Sequence, residues 1–214
     1  MRAKDNVASK FTLCEFGVLQ QNGVIFMTNL FKDLPAGENP PEQINVVIDI
    51  PRGSSNKYEY NEEKGYFELD RVLYSPIFYP FEYGFIPKTA SEDGDSLDVA
   101  LLVSFPTFPG CVIKARPIGT LLMRDEEGID NKIIAVPIEK VDPRFKEIQT
   151  VEDLGEHLKK EIEIFFADYK KLEKEKYKFV KVEGWEGREI AKEIIKRAIQ
   201  KYKELGEREH AGES

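Results

Sequence analysis

Between Ile44 and Ile138 the chain is cut into short runs of strand character, and this limits the fold more than any other feature of it. Ile44-Asn45-Val46-Val47-Ile48-Asp49-Ile50 is the first, closed by Pro51-Arg52-Gly53. Lys57–Tyr60, Tyr66–Leu69, Leu97–Val103, Val112–Met123 and Lys132–Ile138 follow, rich in β-branched and aromatic residues and separated by glycine, proline or acidic turns. Such spacing predicts a closed or nearly closed antiparallel β-barrel rather than alternating βαβ units.

The period changes near Thr150. Leu154, Leu158, Ile162, Phe165, Tyr169 and Leu172 recur every three or four residues, one face of a helix. Thr150 followed by Asp153 reads as its capping signal. A second helix is expected from about Trp185 to Leu205, with Ile190, Ile194, Ala198 and Tyr202 as its stripe. The chain is therefore α+β and mainly β, with a barrel over about 44–140 and two flanking C-terminal helices over about 150–205.

Charge narrows the class. The 214 residues carry a net charge of −8, and residues 1–150 hold 23 acidic against 16 basic side chains, while 151–210 balance. An acidic barrel argues against a nucleic-acid binder, which needs a basic patch to neutralise phosphates. The uncharged stretch Val99 to Ile113 is broken by Pro106, Pro109 and Gly110 and cannot span a bilayer, so no membrane partner is expected. Two cysteines and two histidines rule out a disulfide framework and a zinc-type ligand set, and a reducing cytoplasmic setting is expected.

Candidate chemistry sits in three places. Asp93-Gly94-Asp95-Ser96-Leu97-Asp98 runs into an apolar strand. Asp93 and Asp95 alone could be an acidic turn, but Asp98 lies within the strand, where an unpaired carboxylate costs several kcal/mol that a divalent cation would offset. Side chains alternate along a strand, so Asp98 would face away from Asp93 and Asp95, and all three converge only if the chain bends at Gly94–Ser96. An EF-hand loop from Asp93 fails, because its glycine and glutamate positions hold Asp98 and Ser104. The cluster from Arg124 to Lys132, with Asp125 and Asp130, is explained most simply as a hairpin turn. Asp49 is a third ionisable group in a core-like strand, explicable as a bulge or barrel-end position. The aromatic run Phe78–Phe85, with Tyr79 and Tyr83, reads as core, and Lys57 and Arg71 alone would be solvated surface. If these groups converge with Lys132, Tyr169 and Lys170, carboxylates and cations together suit a highly charged phosphate compound and hard cations such as Mg²⁺. No G-x-x-x-x-G-K-[ST] loop is present.

The order and spacing of these fragments resemble soluble family I inorganic pyrophosphatases. The resemblance is carried by Asp93-Gly94-Asp95-Ser96-Leu97-Asp98-Val99, Asn56-Lys57-Tyr58-Glu59, Asp70-Arg71, Phe78-Tyr79-Pro80, Tyr83-Gly84, Asp125-Glu126 with Asp130 and Lys132, Phe165-Phe166 with Tyr169-Lys170, and Val182-Glu183-Gly184-Trp185. It implies a five-stranded OB-like closed barrel that hydrolyses pyrophosphate with several Mg²⁺ per subunit. It implies metal ligation by Asp93, Asp98, Asp125 and Asp130, and by Glu59 through water, with Asp95 as general base. Lys57, Arg71, Tyr83, Lys132, Tyr169 and Lys170 would bind substrate, supported by Tyr79. A homohexamer is expected on the same ground. A non-catalytic metal- or phosphate-binding barrel is the rival reading, disfavoured because the motif residues are complete. Asp49 departs from the resemblance, which leads one to expect glutamate there. Residues 1–26 match nothing, so 27–214 is expected as a single domain behind an extension.

Overall fold

The computed structural model describes residues 12–14, 18–21, 24–27, 29–92 and 94–212, with side chains described for 29–92 and 94–207. Asp93 and most of the expected extension 1–26 lie outside the described residues. Strands β1 (Thr12–Cys14), β2 (Val18–Gln21) and β3 (Val24–Met27) form a small antiparallel meander. Then come β4 (Ile44–Ile50), β5 (Asn56–Asn61), β6 (Tyr66–Val72), β7 (Glu82–Ile86), β8 (Leu97–Leu101), β9 (Val112–Asp125), β10 (Gly128–Ile129) and β11 (Lys132–Pro137). The C-terminal part holds α1 (Glu156–Asp168), the single turn α2 (Lys174–Tyr177), β12 (Lys181–Gly187) and α3 (Arg188–Gly212).

Five strands close a ring in the order β4-β7-β8-β11-β9, with β9 pairing back to β4. All neighbours run antiparallel except β8 and β11, which are parallel. The wholly antiparallel barrel expected from strand spacing is corrected here, because five strands cannot alternate direction around a closed ring without one like-directed pair. Alternate residues of β8 and β11 feed two packed clusters, Ala100 and Ile134 under α1, Val99 and Ile133 under α3. Burial on both faces explains why these strands read as almost unbroken apolar runs.

Two of the expected barrel strands are not in the ring. β5 and β6 pair only with each other, as a ribbon. Their sequences have no continuous apolar face, and among them only Tyr60 is buried, so they cannot serve as a barrel wall. β7 falls inside the aromatic run and supplies the missing stave; Tyr79, Phe81 and Phe85 are buried as expected of core, while Phe78 is exposed. Gly84 lets this stave close against β4, since a Cβ there would stand 1.9 Å from the carbonyl oxygen of Val47.

The helices need three corrections. The Thr150 capping box is real, but it caps the 3₁₀ turn Val151–Asp153, and α1 begins after Gly155. Trp185 belongs to β12, which pairs along the outer half of the long strand β9, and α3 starts only at Arg188. The fully buried residues of α3 are Ala191, Ile195 and Ala198; of the expected stripe Ala198 is buried, Ile194 and Tyr202 pack half-buried against the core, and Ile190 is exposed. The small alanines let α3 approach the barrel closely. On α1, Ile162, Phe165 and Phe166 are buried, each worth about 1.5–3 kcal/mol of apolar transfer, whereas Leu172 lies beyond the helix and is exposed.

Candidate active site

A cavity of about 760 Å³ opens between the β5–β6 ribbon, the turn linking β9 to β11, and the C-terminal end of α1. Asp49, Lys57, Glu59, Arg71, Tyr83, Asp95, Asp98, Asp125, Asp130, Lys132, Tyr169 and Lys170 all line it. Tyr79 lies beneath, buried, with its ring 5.5 Å from that of Tyr83. The bend that Asp95 and Asp98 required is present, with Gly94 at φ +102°, a conformation open to glycine and costly for other residues. The Asp125–Asp130 segment is the hairpin turn expected of it and also a wall of the cavity. Asp49 occupies a β-bulge: Ile48 opposes Gly84 and Ile50 opposes Tyr83, so Asp49 is the extra residue and turns into the cleft.

Ammonium groups stand between the carboxylates. Lys132 Nζ donates to Asp98 Oδ2 at 2.6 Å and also to Asp130, and Tyr83 donates its hydroxyl to the same Asp98 oxygen at 2.6 Å. Lys170 Nζ bridges Asp125 Oδ2 at 2.9 Å and Glu126 Oε2 at 2.8 Å. Arg71 is held by Glu173 Oε1, at 3.1 Å from Nε and 3.0 Å from Nη2, and pairs with Asp70. Lys57 pairs with Glu59 and reaches Asp70 at 3.5 Å.

This crowding moves proton affinities. Burial, reinforced by Asp98, lifts Asp49 well above the usual carboxylate range. Asp130 is pushed up to about 7 by burial, with Asp98 adding and Lys132 opposing. Glu62 also rises to about 7, through burial and the nearby Asp95. Burial acts on Glu126 in the same sense, but Lys170 and Lys176 overcome it and hold the group at about 2. On Lys132 burial favours the neutral form, yet Asp98 and Asp130 outweigh it and its proton is held more tightly than usual. Burial takes Tyr169 to about 12.

The donors offered by the acidic half of the cleft are carboxylate oxygens, the type that hard divalent cations prefer. Asp49 Oδ1 is buried without a hydrogen-bond partner, and Asp130 gives up its proton only near neutrality. Both would gain from a cation nearby. Among the described residues no three acidic, histidine or cysteine side chains cage an ion by themselves.

Glu62, Glu126 and Glu173 also shape the cleft without having been singled out for a role. Glu126 adjoins Asp125 in a motif of the resemblance and could have been found there. Glu173 lies in Lys171-Leu172-Glu173-Lys174-Glu175-Lys176, where nothing separates it from a solvated charged run. Its value appears only when the fold brings it against Arg71, 102 residues away.

Fold and cleft together define an OB-like barrel shaped to hold a small polyanion alongside hard cations. A family model described as Inorganic pyrophosphatase matches residues 46–203. The inorganic pyrophosphatase of Aquifex pyrophilus is 52% identical over 176 residues, covering 82% of this chain and 98% of that protein. That of Saccharolobus solfataricus is 52% identical over 171 residues, covering 80% and 98%. The crystal structure of the Thermus thermophilus inorganic pyrophosphatase aligns with a TM-score of 0.78 at 47% identity, covering 82% of this chain and 99% of the other. The chain belongs to the soluble family I inorganic pyrophosphatases.

Proposed function

We propose that this chain hydrolyses inorganic pyrophosphate to two orthophosphates with Mg²⁺ as cofactor. The observation that carries the reading is the convergence of four aspartates, Asp95, Asp98, Asp125 and Asp130, with Lys57, Arg71, Lys132 and Lys170 around one cavity. Asp98, Asp125 and Asp130, with Asp93, would hold the metal directly, and Glu59 through water. When bound, magnesium supplies positive charge against phosphate oxygens and lowers the pKa of a water. Asp95 is the general base and takes the proton of the attacking water. Lys57, Arg71, Lys132, Tyr169 and Lys170 hold the phosphate oxygens. Glu173 presents the Arg71 guanidinium in fixed orientation, leaving little rotamer freedom to lose on binding. Tyr83 fixes the Asp98 carboxylate from below and Tyr79 packs under Tyr83. Asp49, one methylene shorter than glutamate, acts as a supporting carboxylate.

The test is phosphate release from pyrophosphate with and without Mg²⁺, with chelator and ATP controls, for wild type and Asp95→Asn. Fast Mg²⁺-dependent release specific to pyrophosphate, lost by about 10² or more in a folded Asp95→Asn protein, is expected. No release from folded wild type across divalent metals would leave a binding barrel instead. The same reading places the chain in the cytoplasm as a homohexamer, with 27–214 as one domain behind an extension; native mass spectrometry checks the assembly and N-terminal mass the extension. Among the described residues no helix is long and apolar enough to cross a membrane.

A further inference from the structure

We propose that Lys201 and Glu62 are positioning residues for Asp95, holding from two sides the turn on which it sits. The inference rests on Asp95 being the general base. The turn has little packing to fix it, because Gly94 and Asp95 are exposed. Hydrogen bonds do so instead. Ser91 N–H donates to the carbonyl oxygen of Asp95 at 2.7 Å, and Gly94 N–H to that of Ser91 at 3.2 Å. Ser91 is in turn tied to α3: Lys201 Nζ donates to the carbonyls of Ser91 at 2.6 Å and Glu92 at 3.2 Å. Ala90 N–H, one residue earlier, donates to Ala198 O at 3.0 Å, so this stretch of chain lies against one face of α3.

The other end of the turn is tied to the ribbon. Ser96, the residue after Asp95, lies beside the Glu62 carboxylate, and Glu62, Asp95 and Ser96 line the cavity together. Glu62 is itself anchored, since its carbonyl accepts from Asn29 Nδ2 at 2.7 Å. Asp95 is thus held between a helix and a ribbon that are far apart in sequence. Neither clamp belongs to the groups that hold phosphate, so loosening them displaces the base and leaves substrate affinity alone. A displacement of about 1 Å can cost on the order of 10² in rate.

The experiment compares wild type, Lys201→Met, Lys201→Arg, Glu62→Ala and Asp95→Asn at saturating Mg²⁺. It reads kcat and KM for pyrophosphate, and amide hydrogen exchange of the Ser91 and Gly94 N–H groups in the metal-free protein. Lys201→Met and Glu62→Ala are expected to lower kcat by about 10- to 100-fold with KM within about twofold, and to speed exchange in the turn but not in the barrel. Lys201→Arg, which keeps the donors, should recover most of the turnover. Should Lys201→Met fail to fold, Glu62→Ala and Lys201→Arg decide. An inactive Asp95→Asn alongside clamp variants with wild-type kcat overturns the positioning role alone, as does a loss confined to KM. A fully active Asp95→Asn overturns the base assignment and the positioning role together.

Discussion

Replacing Lys132 by methionine tests whether the ammonium at the centre of the cleft is the charge that lets its carboxylates ionise. The Lys132 side chain is 3% exposed and lies between Asp98, at 30%, and Asp130, at 16%. Removing one partner of such a buried cluster costs about 3 kcal/mol or more, because the carboxylates left behind are uncompensated. The cost should also depend on pH. In the wild type Asp130 is pushed up to about 7, so it is ionised at pH 8.5 despite its burial. Without Lys132, which opposes that rise, Asp130 keeps its proton at pH 8.5. At pH 8.5 the folded variant then binds one more proton than its own unfolded chain, at Asp130, whereas in the wild type Lys132 is protonated and Asp130 ionised in both states and the two bind the same number. Stability falls with pH wherever the folded state binds the excess proton, so the variant loses ground by about 1.4 kcal/mol per pH unit above pH 7. Between pH 7 and 8.5 the gap should widen by about 2 kcal/mol. Denaturant unfolding with chelator present, at fixed protein concentration and several pH values, measures it. A gap independent of pH, or one that narrows toward pH 8.5, would refute the reasoning.

Asp49→Asn should stabilise the metal-free protein at pH 8 and change its stability little near pH 4. Burial raises the folded pKa of Asp49, so the wild type loses stability as pH climbs from the unfolded value, and asparagine removes that loss; equal gains at both pH values would contradict it. The same variant should bind Mg²⁺ more weakly by calorimetry. Glu82 is fully buried and accepts from Arg52 N–H at 3.2 Å and from Thr107 N–H and hydroxyl at 2.9 Å each. Glu82→Leu strands these three donors, and even at about 1 kcal/mol apiece, the low end of the range, this should lower Tm by about 6–12 °C; an unchanged Tm would show that the loops re-pair elsewhere.

Much of the site was legible because its residues cluster locally. Asp95 and Asp98 are three apart just after a glycine bend, Asp125 and Asp130 flank one hairpin turn, and Tyr169-Lys170 closes one helix. Glu62, Glu173 and Lys201 were not legible. Each is an ordinary charge in a charged stretch, and each gains its role from a partner 34, 102 or 110 positions away. Strand existence was legible for β4, β8 and β11, since burial on both faces leaves an almost unbroken apolar run, and for β9 from its β-branched and apolar residues. It was not for β12, whose Lys181-Val182-Glu183-Gly184-Trp185-Glu186-Gly187 has no buried residue and takes its strand geometry from pairing with β9.

The sequence by itself determined that a run of short strands comes first, roughly where helices replace them, and which residue types could meet a phosphate and a hard cation. Those properties rest on period, composition and local spacing, which a chain carries before it folds. Only the tertiary structure decided which strands enter the ring and that β8 and β11 run parallel. It alone set the ribbon over the cleft, put Asp49 into a bulge facing Asp98, and brought Lys132 between Asp98 and Asp130. Pairing partners and register depend on which apolar faces find one another across long stretches of chain, and the electrostatics of the cleft exist only once that burial has removed water from around its charges.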